Sequence, residues 1–323
     1  MDEATSVPPP SRLRRVAGLL RGKNIIRALA GLLLLLCLYY SIGAFFYAGV
    51  DDDPGFTPAA PIEGGSHVVD MAAALVEREV VTHAWQPNDP LFMPNGMVIH
   101  PAAFQRGMQG AWARMAFELE DQIGRTRGSS RADPDLERAR GLLNFPPDFW
   151  YFDFSKSFLP TITSEQNYRA GRAALLAYNQ RLAAKSAVFD VRTDSLAATL
   201  NRVVNDLGSQ SAAVDDHLRN ESGWLINFDA DRLFYNVKGR LYAYHMMLRE
   251  LGRDFEPLIR QNNLEGIWAQ AMDTMNEAGR MRPFIVADAS PNNSIFANHL
   301  AIQGFYLKRV LVQLKEMSQV LVN

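Results

Sequence analysis

The sequence predicts an all-α protein, with an N-terminal single transmembrane helix followed by a multi-helix bundle domain. Three observations predict it. The run from Ala28 to Val50 contains no Asp, Glu, Lys, Arg or His. Downstream of it, apolar residues recur every three or four positions in almost every long segment, the period of a helix face. No stretch alternates β-branched and polar residues as a half-buried strand would.

The 23 residues of the first run make a helix of about 34 Å at the usual helical rise, enough to cross a hydrocarbon core. Arg12, Arg14, Arg15, Arg21, Lys23 and Arg27 precede it; Asp51, Asp52 and Asp53 follow, and the next basic residue is Arg78. This imbalance predicts a cytoplasmic arm over 1–27 and places the rest of the chain on the far side of the membrane. The basic arm suits anionic lipid headgroups. A cleaved signal peptide is the competing reading, with Ser41-Ile42-Gly43 as a small-residue site. The long charged region ahead of the apolar core, and the continuation of that core past the site, favour an uncleaved anchor. Cys37 follows Leu36, where a lipoprotein processing site needs a small residue, and so reads as apolar filler.

Residues 51–65 hold Pro54, Pro58, Pro61, Gly55, Gly64 and Gly65, the composition of a linker or stiff stalk. Residues 66–323 are then long enough to bury a substantial core as a helical domain. The single cysteine of the chain is Cys37, so the domain has no disulfide, thiol nucleophile or cysteine-held zinc. With the six basic and two acidic residues of the arm set aside, 27 basic and 33 acidic residues remain, a net charge of −6. That argues against nucleic acid as a partner.

Along the domain, Ser66 is placed to cap a helix reaching about Trp85, and Pro87, Pro90 and Pro94 then mark a loop. Pro101 opens a helix through Phe104, Met108, Trp112, Met115 and Leu119 to Gly124. Asp133-Pro134 starts a short helix to Leu143. Thr163 or Ser164 caps the next, with Tyr168, Leu175, Leu182 and Phe189 at seven-residue intervals. Thr193 opens a helix through Leu196, Leu200, Val203, Leu207, Ser211, Val214 and Leu218. Asp229 or Asp231 starts one through Phe234, Val237, Leu241, Tyr244, Leu248 and Leu251, with Gly252 as its stop. Residues 256–278 carry Leu264, Trp268, Ala271 and Met275, closed by Gly279. The last helix, from about Ser294, sets Leu300, Leu307, Leu314 and Leu321 at one heptad position and Phe296, Gln303, Val310 and Met317 at the other. Tyr306, Leu311, Gln313 and Val320 widen that stripe beyond a simple zipper, so burial in a bundle is expected.

Motifs of chemistry are absent. There is no His-Glu-x-x-His, Walker loop, Gly-x-Gly-x-x-Gly or Gly-x-Ser-x-Gly, and no Glu-x-x-His pair for a di-iron bundle. Glu79 and His83 share a helix face, a single pair too weak to predict a metal site. His245 and His299 read as structural histidines. Asp51-Asp52-Asp53 lacks calcium-loop spacing and reads as a solvated orientation signal. Asn220-Glu221-Ser222 and Asn292-Asn293-Ser294 match the glycosylation pattern, which matters only in a eukaryotic source. No catalytic residue, metal ligand or cofactor is therefore predicted. The one unusual stretch runs from Asn144 to Pro160 and is crowded with aromatic rings. It reads as a core plug, an interfacial loop or one wall of a ligand groove; core filling is the expectation. In the other two readings Phe149, Trp150, Tyr151, Phe152, Phe154 and Phe158 contact lipid or an apolar ligand.

The junction Gly49-Val50-Asp51, the segment Ser66-His67-Val68-Val69-Asp70, the turn Asn95-Gly96 and Phe149-Trp150-Tyr151-Phe152 together resemble an uncharacterised family of proteobacterial single-pass inner-membrane proteins. The resemblance implies a bacterial envelope protein and carries no catalytic residues; with the charge imbalance around Ala28–Val50, the expectation is a cytoplasmic N-terminus and a periplasmic C-terminal domain. The sequence thus favours a non-enzymatic interaction or scaffolding module with an envelope protein partner. A binding module for a lipid or other apolar ligand comes second, and an enzyme without a recognisable motif third.

Overall fold

The structure, a computed structural model, describes residues 22–124, 132–152, 159–220, 228–283 and 298–322. Arg12, Arg14, Arg15, Arg21, Phe154, Phe158, the Asn292-Asn293-Ser294 pattern and the expected helix start at Ser294 lie outside these. Among the described residues the chain is helical, with no strand. In chain order the helices are α1 (Gly22–Tyr47), α2 (His67–Glu77), α3 (Ile99–Glu118), α4 (Pro134–Leu143), α5 (Ser164–Ala183), α6 (Thr193–Asn220), α7 (Phe228–Asp254), α8 (Glu256–Gln261), α9 (Glu265–Gly279) and α10 (His299–Val322). Helices α2 and α3 each end in a π-helical turn, Arg78–Thr82 and Leu119–Ile123.

Local chemistry explains several of these boundaries. The Ser66 side chain accepts from Val69 N–H. Asp133 accepts from Asp135 and Leu136, with Pro134 at the first helical position. Thr163 and Gln166 form a reciprocal capping box. The α2 N-terminus gains a second, tertiary cap: the Asp254 carboxylate at the end of α7 accepts from Ser66 Oγ at 2.7 Å and from the backbone N–H groups of His67 and Val68, both at 2.9 Å. A carboxylate there offsets the positive end of the helix dipole.

Three boundaries differ from the sequence reading. Helix α3 starts at Ile99, so Pro101 sits within its first turn. The segment after α7 breaks into α8 and α9 at Asn263, which has a positive φ of 55°. Gly252 does not end α7, which runs on to Asp254. A Cβ on Gly252 would lie 2.6 Å from Trp268 Nε1, so the glycine serves the close crossing of α9.

Helix α7 is the hub. It is buried nearly all round from Phe234 to Leu251 and packs against α2, α3 and α9. Its approach to α3 depends on two glycines: a Cβ on Gly107 would collide with the Asn236 carbonyl, and one on Gly239 with the Phe104 carbonyl. Helix α10 lies along α6 and α9, burying Leu300, Leu307, Val310, Leu314, Met317 and Leu321. That is the seam read from the heptads, and it faces the bundle.

Residues 51–65, read as a linker, form no helix or strand but are bound to the domain along 51–56. Asp52 is buried and pairs with Lys238 of α7 at 2.6 Å, both side chains 1% exposed, and with Arg282. Lys238 also donates to the Met281 carbonyl at 2.7 Å. Tyr242 donates to the Asp53 carbonyl, and Arg249 to those of Pro54 and Phe56. Arg78 donates to the Asp51 carbonyl and stacks on Phe56. At Asp52 the solvated reading of the acidic triplet is corrected: its countercharges lie about 190 and 230 positions away in sequence, beyond any local pattern.

Burial works to raise the Asp52 pKa, but hydrogen bonds and charge from Arg282 and Lys238 outweigh it, so the carboxyl is held below its ordinary value. Its stabilising contribution is present above the ordinary carboxylate range and is lost as pH falls through the lowered value. Lys238→Met leaves Asp52 with Arg282 alone, a side chain that is mostly exposed. The variant should therefore cost about 3–5 kcal/mol near neutral pH, the usual result of breaking a buried pair, and less in acid where Asp52 is protonated. Leu307→Ala and Leu314→Ala should each cost about 2–5 kcal/mol at either pH. Denaturant unfolding at two pH values separates these behaviours.

Candidate functional site

Helix α1 is exposed along nearly its whole length. Within its Asn24–Tyr47 portion an 18-residue window has a mean hydropathy of 2.1. By length and composition it fits a membrane anchor or a signal sequence. It meets the domain in two places, and these define the candidate site.

The first is the loop 86–98 between α2 and α3. Tyr39 Oη donates to the Phe92 carbonyl at 2.9 Å and Tyr40 Oη to the Leu91 carbonyl at 2.5 Å. Gly43 is buried against Pro94, whose carbonyl a Cβ would strike. The loop also bonds to itself: Met93 N–H donates to Pro90, Gly96 to Met93 and Val98 to Asn95, and the Asn95 amide donates to Asp89. With its backbone so occupied, the loop turns Leu91 (72% exposed), Phe92 and Met97 (62% each) outward.

The aromatic stretch lies beside this loop. Trp150 is half-buried, its ring edge-on to Phe92 at 5.6 Å and to Phe152 at 5.8 Å. Phe149 is half-buried and packs on Phe145 at 5.0 Å. Tyr151 and Phe152 are exposed, as are Leu159 and Ile162. The expectation that these rings fill the core is thus corrected at Tyr151 and Phe152; Phe145 is the member packed on the core. The backbone is pinned from below. Trp85 donates to the Pro147 carbonyl, Asn88 to Phe149 and Tyr168 to Phe145. Thr161 donates to the Trp150 and Tyr151 carbonyls. Sequence reading missed Leu91, Phe92 and Met97 as part of this face; the Leu-Phe-Met run between Pro90 and Pro94 was the available signal.

The second meeting place is the chain's exit from α1. A cavity of about 550 Å³ is lined by Phe46, Tyr47, Gly49, Val50, Asp51, Thr82, His83 and Gln86. His83 sits between two carboxylates, Nδ1 3.6 Å from Glu79 and Nε2 3.6 Å from Asp51. The hydrogen bond to Glu79 leads the causes that raise the His83 pKa. The π-helical turn after α2 and the positive φ of Ala84 (60°) aim the imidazole there. An imidazole between two carboxylates has its protonated form favoured. Among the described residues, no group of three or more His, Cys, Asp or Glu is placed to hold a metal ion. His245 is buried in α7 with its pKa lowered to about 4, by burial and then by Arg249, which leaves it neutral near pH 7.

Glu118 was not singled out by sequence. It is fully buried at the end of α3, and neither carboxylate oxygen has a hydrogen-bond partner. Burial pushes its pKa up to about 7, against the opposing charges of Arg202 and Arg114. An acid with a raised folded-state pKa binds more protons folded than unfolded, so stability falls as pH rises from its ordinary value to about 7. Glu118→Gln should remove this slope. Relative to the native chain, the variant should gain a few kcal/mol at pH 8 and little at pH 5, each tenfold change in proton affinity being worth about 1.4 kcal/mol. Thermal melts across that range check it.

Residues 88–223 match the model of a family described as "Uncharacterized protein conserved in bacteria (DUF2333)". No curated protein and no solved structure matches the chain. The matched segment takes in most of the loop 86–98, the aromatic stretch and α3 to α6, and over that segment the chain is similar to this uncharacterised bacterial family.

Proposed function

We propose that this protein is a single-pass, non-enzymatic module of the bacterial cell envelope. Its basic arm lies in the cytoplasm, α1 spans the inner membrane, and its helical domain is held flush against the periplasmic face. The observation that carries this reading is the depth of the loop 86–98. Its contacts at Tyr39 and Tyr40 lie seven to eight residues before the end of α1, about 11 Å back along the helix. If α1 spans the bilayer, Leu91 and Phe92 enter the outer leaflet.

The polar accounting supports the same reading. Backbone groups in lipid must be satisfied within the protein, and the tyrosine hydroxyls of α1 do this for the Leu91 and Phe92 carbonyls. Phe149, Trp150, Tyr151 and Phe152 then lie at headgroup level, where amphipathic rings are favoured. A cleaved signal helix would abandon these contacts, which favours an anchor. The scaffolding role has a surface of its own: α10 exposes Ile302, Phe305, Val312 and Val320, apolar residues open to an envelope protein partner.

Two measurements test the proposal. In bilayer nanodiscs with brominated lipid, tryptophan emission of the full chain should be quenched, and Trp150→Phe should remove most of the quenchable part. Of the five tryptophans, Trp85, Trp112 and Trp268 are buried, and both chains carry Trp224→Phe, since Trp224 lies outside the described residues. Quenching unchanged in Trp150→Phe would overturn the lipid contact. A reporter active only in the periplasm should work when fused after Asn323, whereas activity of a cytoplasm-only reporter there would reverse the topology.

A further inference from the structure

Away from the membrane-facing loop, α3, α4, α6 and α7 enclose a cleft of about 540 Å³. Its wall carries three arginines from three helices: Arg114 of α3, Arg140 of α4 and Arg240 of α7. Two of them have carboxylate partners. Arg240 pairs with Asp206 at 2.7 Å, and Arg140 with Glu120 at 3.3 Å. Asp206 is further occupied by the Tyr244 hydroxyl at 2.8 Å. Arg114 has no carboxylate within ion-pair distance among the described residues, so one positive charge is left over. Its guanidinium lies 6.0 Å from the centre of the Phe117 ring, and two more, Arg140 at 5.5 Å and Arg202 at 5.7 Å, lie about the same ring. The Nε of Arg240 is buried with no acceptor. Gly110 leaves the room for Arg240 to lie on α3, since a Cβ there would strike its guanidinium. Asn144, capping α4, adds an exposed amide at the rim, and Gly141 leaves the entrance open.

Arg140 and Arg240 have their carboxylates, so the charge still open to an anion from outside is that of Arg114. Guanidinium groups converging from several directions suit a tetrahedral oxyanion, to which each can present paired N–H donors. The volume exceeds that of a bare ion and falls in the range of small-molecule sites. We propose that this cleft is a binding site for a phosphate-bearing ligand. Arg114 supplies the uncompensated charge, Arg140 and Arg240 flank it, and Phe117 forms the apolar wall.

The source is a soluble phosphate compound or a phospholipid headgroup, and the experiment distinguishes them. The full chain is placed in nanodiscs of phosphatidylcholine and titrated with inorganic phosphate and pyrophosphate at constant ionic strength, set with chloride. A parallel set of nanodiscs contains phosphatidylglycerol. Binding is read by calorimetry and by the melting temperature. For a soluble ligand, phosphate or pyrophosphate should bind and raise the melting temperature. For a headgroup, the rise should come with phosphatidylglycerol instead. In either case Arg114→Gln and Arg140→Gln should weaken the effect at least tenfold, while Arg309→Gln, on the exposed face of α10, should leave it unchanged. At pH 5, where Glu118 is protonated and does not feel the lost charge, Arg114→Gln should melt like the native chain without ligand. No response to phosphate, pyrophosphate or phosphatidylglycerol would overturn the proposal, as would a response that survives Arg114→Gln.

Discussion

The buried contact between Asp52 and Lys238 is the constraint on which the rest of the arrangement depends. It joins the second residue of the acidic triplet after Val50 to the middle of α7, the helix around which the bundle packs. A buried ion pair adds little net stability, because desolvating two charges offsets most of their attraction. Its effect is on geometry: each charge is strongly disfavoured anywhere but against the other. Arg282, the Met281 carbonyl, Tyr242 and Arg249 add hydrogen bonds around the pair. The segment 51–56 has no helix or strand of its own, so these distant partners set its path. They also set the point from which α1 leaves the domain.

A fixed exit makes the second contact possible. With Asp51 held near Arg78 and His83, α1 runs back past the loop 86–98 rather than away from it. Gly43 permits close approach and the tyrosine hydroxyls complete the loop's carbonyls. The exposed apolar face formed by that loop and the aromatic stretch is contiguous through the Phe92 and Trp150 rings. Neither half would be aimed at the same surface without the exit being locked.

The parts of this structure legible in sequence are those encoded within a few residues. Ser66, Asp133 and Thr163 were readable as caps because a cap acts over three positions. The α10 seam was readable because its partners impose one period along the whole helix. Tertiary chemistry was not readable. Gly252 looked like a stop because glycine commonly follows a helix, yet Trp268 of another helix decides its role. The acidic triplet looked solvated because Lys238 and Arg282 belong to other segments. The aromatic stretch looked like core because ring content says nothing of direction; the donors Trp85, Asn88 and Tyr168 decide which rings turn outward. Glu118 left no signal at all, since a glutamate in a helix reads as surface.

The same chain treats its buried charge in three ways, and the contrast carries information. Asp52 is matched by two cations. Glu118 has no hydrogen-bond donor, and burial resolves it by raising its pKa toward neutrality, so a proton takes the place of a partner. Arg114 has neither route: a guanidinium does not give up its proton in a protein, and the carboxylate lining its cleft is already shared between Arg240 and Tyr244. A fold that reaches across about 190 positions to neutralise Asp52 does not lack the means to place one more acid. Glu118, one helical turn on, feels the charge of Arg114 but lies beyond ion-pair distance and is largely protonated below pH 7, so the guanidinium beside Phe117 is better understood as part of a binding surface than as a defect of packing. An oxyanion from outside the chain is the group that complements it.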